Sequence, residues 1–147
     1  MLGPLELGAA LCDASASLGA GLEAFAVPLG IAFQLRDDLL GAFADPAQTG
    51  KPRGSDLIAG KRTLLLQAAL ADARARQLIE SVLGRPAAAS ADVAAALAAI
   101  DACGARASVE ARIAELTQRS LEALRSFDAR ARALLEGVLH ALLERGV

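Results

Sequence analysis

Residues Leu18 to Phe43 form one continuous helical pattern with two unlike faces, and few folds accommodate such a segment. Leu18, Leu22, Phe25, Leu29 and Phe33 recur at steps of three and four, which gathers them into a single apolar stripe. At about 100° per residue, Gln34, Asp37, Asp38 and Gly41 fall on the opposite side, within roughly 60° of Gln34. A helix of this kind needs a packed core behind it and an open polar cleft in front.

The rest of the chain reads as helical too. Hydrophobic residues make up 54% of the 147 positions, and most of that mass is Ala and Leu, both strong helix formers. β-branched residues are few, which argues against a sheet. Pro4 suits a first helical turn, and Leu5 to Asp13 follows as a short helix broken at Ser15 to Ser17. Ala44 to Gly60 holds Pro46, Gly50, Pro52, Gly54 and Gly60 and reads as a charged loop. One or two helices follow from Lys61. Ser90 and Asp92 suit the cap of a helix over Val93 to Ala102. After Gly104, a long amphipathic helix carries Val109, Ile113, Leu116, Leu124 and Phe127, with Glu115 and Arg119 paired at i,i+4. A last helix runs from Ala129 to Leu143. The expected fold is all-α, in one domain, with no internal repeat.

Fifteen basic and 17 acidic residues leave a net charge of −2, which gives no basic face for nucleic acid and no pull toward an anionic membrane. The apolar run Ala24 to Phe33 is too short to cross a bilayer, and no signal peptide is read at the N-terminus. Cys12 and Cys103 lack metal-site spacing and read as buried, reduced thiols of a cytoplasmic protein.

The chemistry concentrates in FQLRDDLLGAFADPAQTGKPRGSDLIAGKRT, residues 33 to 63. Asp37 and Asp38 stand near the C-terminal end of an apolar helix, where the helix dipole and their mutual repulsion both disfavour them. A hard divalent cation such as Mg²⁺ offsets both effects, and it usually takes only one or two carboxylates before water and phosphate fill its shell. Lys51 and Lys61 follow on a loop able to fold back over the helix end, where ammonium groups and metal together can hold a diphosphate. Alone, the acidic pair suits a solvated patch as well as a metal site, and the lysines suit simple solvation. His140, among leucines in the last helix, reads as structural. Asp56 reads as ordering the loop or binding a lysine.

Taken whole, the stretch resembles the second signature of trans-isoprenyl diphosphate synthases, F-Q-x-x-D-D-x-x-D followed by G-D, G-K, G-x-D-L and G-K-x-T. Phe33, Gln34, Asp37, Asp38, Asp45, Gly50, Lys51, Gly54, Asp56, Leu57, Gly60, Lys61 and Thr63 match in type and order. Pro4 to Leu11, PLELGAAL, is similar to the segment that precedes this helix in the family. The third motif aspartate is replaced by Gly41, and the glycine before Asp45 by Ala44.

The resemblance implies the C-terminal part of an isoprenoid-synthase helical bundle. It makes Asp37 the main ligand of Mg²⁺, supported by Asp38. Gln34 would bond near the metal and diphosphate, Lys51 and Lys61 would contact the allylic diphosphate and stabilise its departure, and Phe33 would line the cavity floor. The reaction implied is condensation of an allylic diphosphate with isopentenyl diphosphate. The family's first aspartate-rich motif and its isopentenyl diphosphate-binding residues belong upstream of Pro4, so the chain alone is expected to be inactive. Its partners would be a homo-oligomer or the N-terminal part of the domain. Two other readings are a non-catalytic partner subunit, against which the retained Asp37, Asp38, Lys51 and Lys61 speak, and a class I terpene cyclase relative, whose second motif differs.

Overall fold

The computed structural model describes residues 16–50 and 52–143, apart from the side chains of Gln48 and Thr49. The helix expected over Leu5 to Asp13, the segment Pro4 to Leu11, Cys12 and Lys51 lie outside the described residues. Among the described residues there is no strand. The helices are α1 (Ala16–Phe43), α2 (Pro46–Thr49), α3 (Ser55–Ile58), α4 (Leu64–Ala69), α5 (Ala73–Val82), α6 (Ser90–Ala102), α7 (Ala105–Ala123) and α8 (Ala129–Leu143).

The chain divides into two compact units. Among the described residues, one comprises 16–34 together with 112–143, and the other comprises those between 35 and 111. In the first, Phe25, Ala26 and Leu29 of α1 form a buried cluster with Leu124, Phe127 and Leu139. Each fully buried Leu or Phe there contributes about 1.5–3 kcal/mol relative to exposure. The apolar stripe is therefore only partly the packed face. Leu18 is 41% exposed and Phe33 half-buried, while Ala26 and Ala32 are buried. In an alanine-rich helix the small residues permit close approach, so size alone does not mark the packed side.

In the second unit α5 packs against α6. Their buried residues are Ala75, Ile79 and Val82 on α5, and Val93, Ala96, Leu97 and Ile100 on α6. Arg106 at the start of α7 stacks its guanidinium 4.8 Å from the centroid of the Phe43 ring, at the end of α1.

Several expectations shift in detail. The loop from Ala44 to Gly60 contains two single-turn helices, α2 and α3, because Asp45 caps the first by accepting from Ala47 N–H at 2.8 Å. The region after Lys61 is two helices. Thr63 Oγ1 caps α4 by accepting from Leu66 N–H at 3.3 Å, and Asp72 caps α5 by accepting from Ala75 N–H at 2.8 Å. Ser90 and Asp92 do not cap α6. Ala89 holds that position without a side-chain bond, and Ser90 is already the first helical residue.

The helix expected to run through Phe127 ends at Ala123. A 3₁₀ turn follows, and Asp128 accepts from Ala131 N–H at 2.9 Å to begin α8. Glu115 hydrogen-bonds Arg112 and stands 4.0 Å from Arg119, so its nearer partner lies three residues before it. Cys103 is half-buried rather than buried, and its thiol donates to the Ile100 carbonyl at 3.2 Å. His140 is exposed. By length and composition α1 is long and apolar enough to cross a membrane, which the shorter run Ala24 to Phe33 did not suggest. Phe25, Ala26, Leu29 and Ala32 of this helix are buried.

Candidate functional site

The last turn of any helix leaves carbonyl groups without intrahelical donors. At the end of α1 the following loop supplies them. Gly54 N–H donates to the Ala42 carbonyl at 3.0 Å, and the Ser55 hydroxyl donates to the Gly41 carbonyl at 3.2 Å. These two bonds seat α3 on the acidic end of α1. Gly54 has φ 75°, and a Cβ there would stand 2.5 Å from Val93 Cγ1. Only glycine meets both demands.

Once α3 is seated, Asp56 is buried, with 5% of its surface exposed. Lys61 is tied to it twice. Its ammonium lies 2.7 Å from Asp56 Oδ1, and its backbone N–H donates to the Asp56 carbonyl at 3.0 Å. The other carboxylate oxygen, Oδ2, is buried with no hydrogen-bond partner among the described residues. The side-chain bond to Asp56 raises the Lys61 pKa above its usual 10.5; the charges of Asp56, Asp37 and Asp38 add to the rise, and burial opposes it. Lys61 therefore stays cationic throughout the neutral range.

Asp37, Gly41, Ser55, Asp56 and Lys61 line one cavity of about 230 Å³. The structure thus brings two of the sequence candidates, Asp37 and Lys61, to a common space. Asp37 is exposed and Asp38 half-buried. Gln34 is exposed on α1, one turn before Asp37. Lys51, outside the described residues, is not placed. Asp45 serves as a helix cap.

The expectation that Asp56 orders the loop or binds a lysine is met by Lys61. Its contact with Gly41 went unread, and so did the Ser55 bond, because nothing local to residues 55 and 56 names a partner on α1. The Asp56 match to G-x-D-L was the available signal.

Among the described residues no three His, Cys, Asp or Glu side chains converge on a metal position. Mg²⁺ seldom relies on an all-protein cage. An exposed carboxylate with an acidic neighbour, in a cavity shared with an ammonium group, offers the hard oxygen donors and the space for phosphate that this ion favours. The residues present fit the metal.

The chain is all-α, and the carboxylates of Asp37 and Asp56 and the ammonium of Lys61 line one cavity. Residues 1–100 match the polyprenyl synthetase family, and the chain belongs to that family. It is 33% identical over 143 residues to the geranylfarnesyl diphosphate synthase of Aeropyrum pernix, covering 95% of this chain and 44% of that protein. It is 50% identical over 64 residues to a geranylgeranyl diphosphate synthase of Mycobacterium tuberculosis, across 44% of this chain and 18% of the relative. The crystal structure of geranylgeranyl pyrophosphate synthase from Corynebacterium glutamicum, complexed with isoprenyl diphosphate and magnesium, superposes with a TM-score of 0.90 at 40% identity. That likeness covers 99% of this chain and 42% of the solved one. The chain therefore spans less than half the length of the relatives it matches along most of its own length.

Proposed function

We propose that this chain serves isoprenoid chain elongation, condensing an allylic diphosphate with isopentenyl diphosphate, with Mg²⁺ as cofactor. The observation that carries the reading is the shared cavity of Asp37 and Lys61, within a chain of the polyprenyl synthetase family. In this reaction the allylic C–O bond breaks and diphosphate leaves with the electron pair. The isopentenyl double bond attacks the carbocation, and a proton is lost as a new double bond forms. Such a reaction needs charge stabilisation of the leaving group and firm positioning more than it needs a nucleophile from the protein.

The residues divide that work. Asp37, supported by Asp38, would hold Mg²⁺, which supplies positive charge at the departing diphosphate. Lys61, fixed by Asp56, presents a permanent ammonium to the same oxygens. Lys51 would add a second ammonium, and Gln34 a hydrogen bond near the metal. The named relatives are chain-elongating synthases, which supports this reading over a cyclase or a non-catalytic subunit.

Elongation needs two diphosphates held at once, and these 147 residues offer ligands for one side of such a site. The 147 residues alone are expected to show no condensation of labelled isopentenyl diphosphate with dimethylallyl diphosphate in the presence of Mg²⁺. Incorporation should appear when the upstream part of a polyprenyl synthetase domain is supplied, fused or as a separate chain, and Asp37→Ala should abolish it. Incorporation that persists in Asp37→Ala would refute the assignment.

A further inference from the structure

The segment that presents Asp56 and Lys61 is built on α3, a helix of four residues, and a helix that short has no stability of its own. It is tied at both ends. Its N-terminal end is held to α1 by the bonds of Gly54 and Ser55 described above. Its C-terminal end is held by Gly84, in the connector that follows α5 and outside the signature of residues 33 to 63. Gly84 N–H donates to the Leu57 carbonyl at 2.9 Å, and that carbonyl also accepts from Gly60 N–H at 3.0 Å. One carbonyl oxygen, with two lone pairs, serves both donors. The two glycines also meet backbone to backbone. Gly60 has φ 71° and Gly84 has φ 68°, and a Cβ on Gly60 would stand 3.2 Å from Gly84 Cα. α3 packs against α5, and its Leu57 is buried.

We infer that Gly84 is a positioning residue for Lys61: by holding the Leu57 carbonyl and admitting Gly60 against its own backbone, it fixes the turn from which Lys61 enters the cavity of Asp37. The inference rests on the diphosphate reading of that cavity. The Asp56–Lys61 ion pair and the bond from Lys61 N–H to the Asp56 carbonyl are internal to the segment. They fix its shape, and the ties at its two ends fix its place. The Lys61 side chain is half exposed, so its direction depends on the backbone that carries it. Lys61 lines the cavity one residue after Gly60, whereas Gly84 is no part of the lining and acts through the lysine. Misplacing a group at such a site by about 1 Å can cost about a hundredfold in rate.

Two measurements on the full chain test the role. A β-branched residue is strained at positive φ, so Gly84→Val disturbs the tie. Gly104→Val is the control: Gly104 has φ 80°, and nothing lies within 4 Å of its would-be Cβ. Gly60→Ala presses on Gly84 Cα from the other side and gives the same reading if Gly84→Val fails to fold. The first measurement is amide hydrogen exchange without ligand. Protection of Lys61 N–H, relative to Leu97 N–H in α6, should fall about tenfold or more in Gly84→Val and Gly60→Ala, and hold in Gly104→Val. A ratio unchanged in the first two variants, or lowered equally in the control, would overturn the inference. The second is calorimetric titration with inorganic pyrophosphate and Mg²⁺. Gly84→Val should weaken binding about threefold to tenfold, and should add nothing to the loss caused by Lys61→Met. Unchanged affinity in Gly84→Val, or a loss that persists on top of Lys61→Met, would show a merely structural glycine. Absence of pyrophosphate binding by the unaltered chain would instead strike the diphosphate reading, and the exchange comparison would still decide whether Gly84 holds the Lys61 turn.

Discussion

Gly54 shows how much of the site depends on one residue without chemistry of its own. Its positive φ and the 2.5 Å approach of Val93 to a would-be Cβ make any side chain costly there. Gly54→Ala is expected to destabilise the chain by about 2–4 kcal/mol in chemical denaturation, combining left-handed strain with overpacking. Lys61 makes the opposite case, a charged residue whose partner defines it. Its folded-state pKa is raised chiefly by the side-chain bond to Asp56. Stability linked to a raised lysine pKa is complete below 10.5, the unfolded value, and is lost as pH rises through the higher folded value. The stability advantage of the parent over Lys61→Met should therefore hold from neutral pH to about pH 10 and shrink above 10.5. An advantage that grows with alkaline pH would contradict the pair. The Lys61 side chain is half exposed, so solvent screening keeps the effect modest.

Among the elements, α4 connects the site lysine to the bundle. Thr63, two residues after Lys61, closes its first turn through Oγ1. Thr63→Ala should cost about 1 kcal/mol in denaturation and leave the helix content by circular dichroism nearly unchanged. Much of this level was legible in the sequence. The long helix ending at Phe43 and the last helix from Ala129 to Leu143 follow from periodicity, a local property that a single chain displays. The acidic face at Asp37 was legible for the same reason. The burial of Ala26 and Ala32 was not, because alanine looks alike on either face of a helix. Leu124 and Phe127 continued the α7 pattern in register and hid its end at Ala123, although Asp128 was a readable start signal for α8. The contact of Asp56 with Gly41 was hidden for a different reason. It is made only after the loop has turned back on the helix, and no local rule encodes which residue of α1 it meets.

At the scale of the whole molecule, an extensive apolar helix ends in an acid-rich cavity. Val27 and Ile31 on α1 are 41% and 46% exposed, on a helix that also supplies core residues. The chain covers 42% of the Corynebacterium glutamicum synthase it superposes on, so it aligns with only part of that bundle. The central claim is that this part carries a magnesium-dependent diphosphate site organised by Asp37 and Lys61. Isothermal titration of the chain with inorganic pyrophosphate, with and without Mg²⁺, beside Asp37→Ala, tests it most directly. The account predicts weak binding that requires the metal and falls about tenfold or more in Asp37→Ala. Equal heats from the two proteins, or binding indifferent to Mg²⁺, would contradict it.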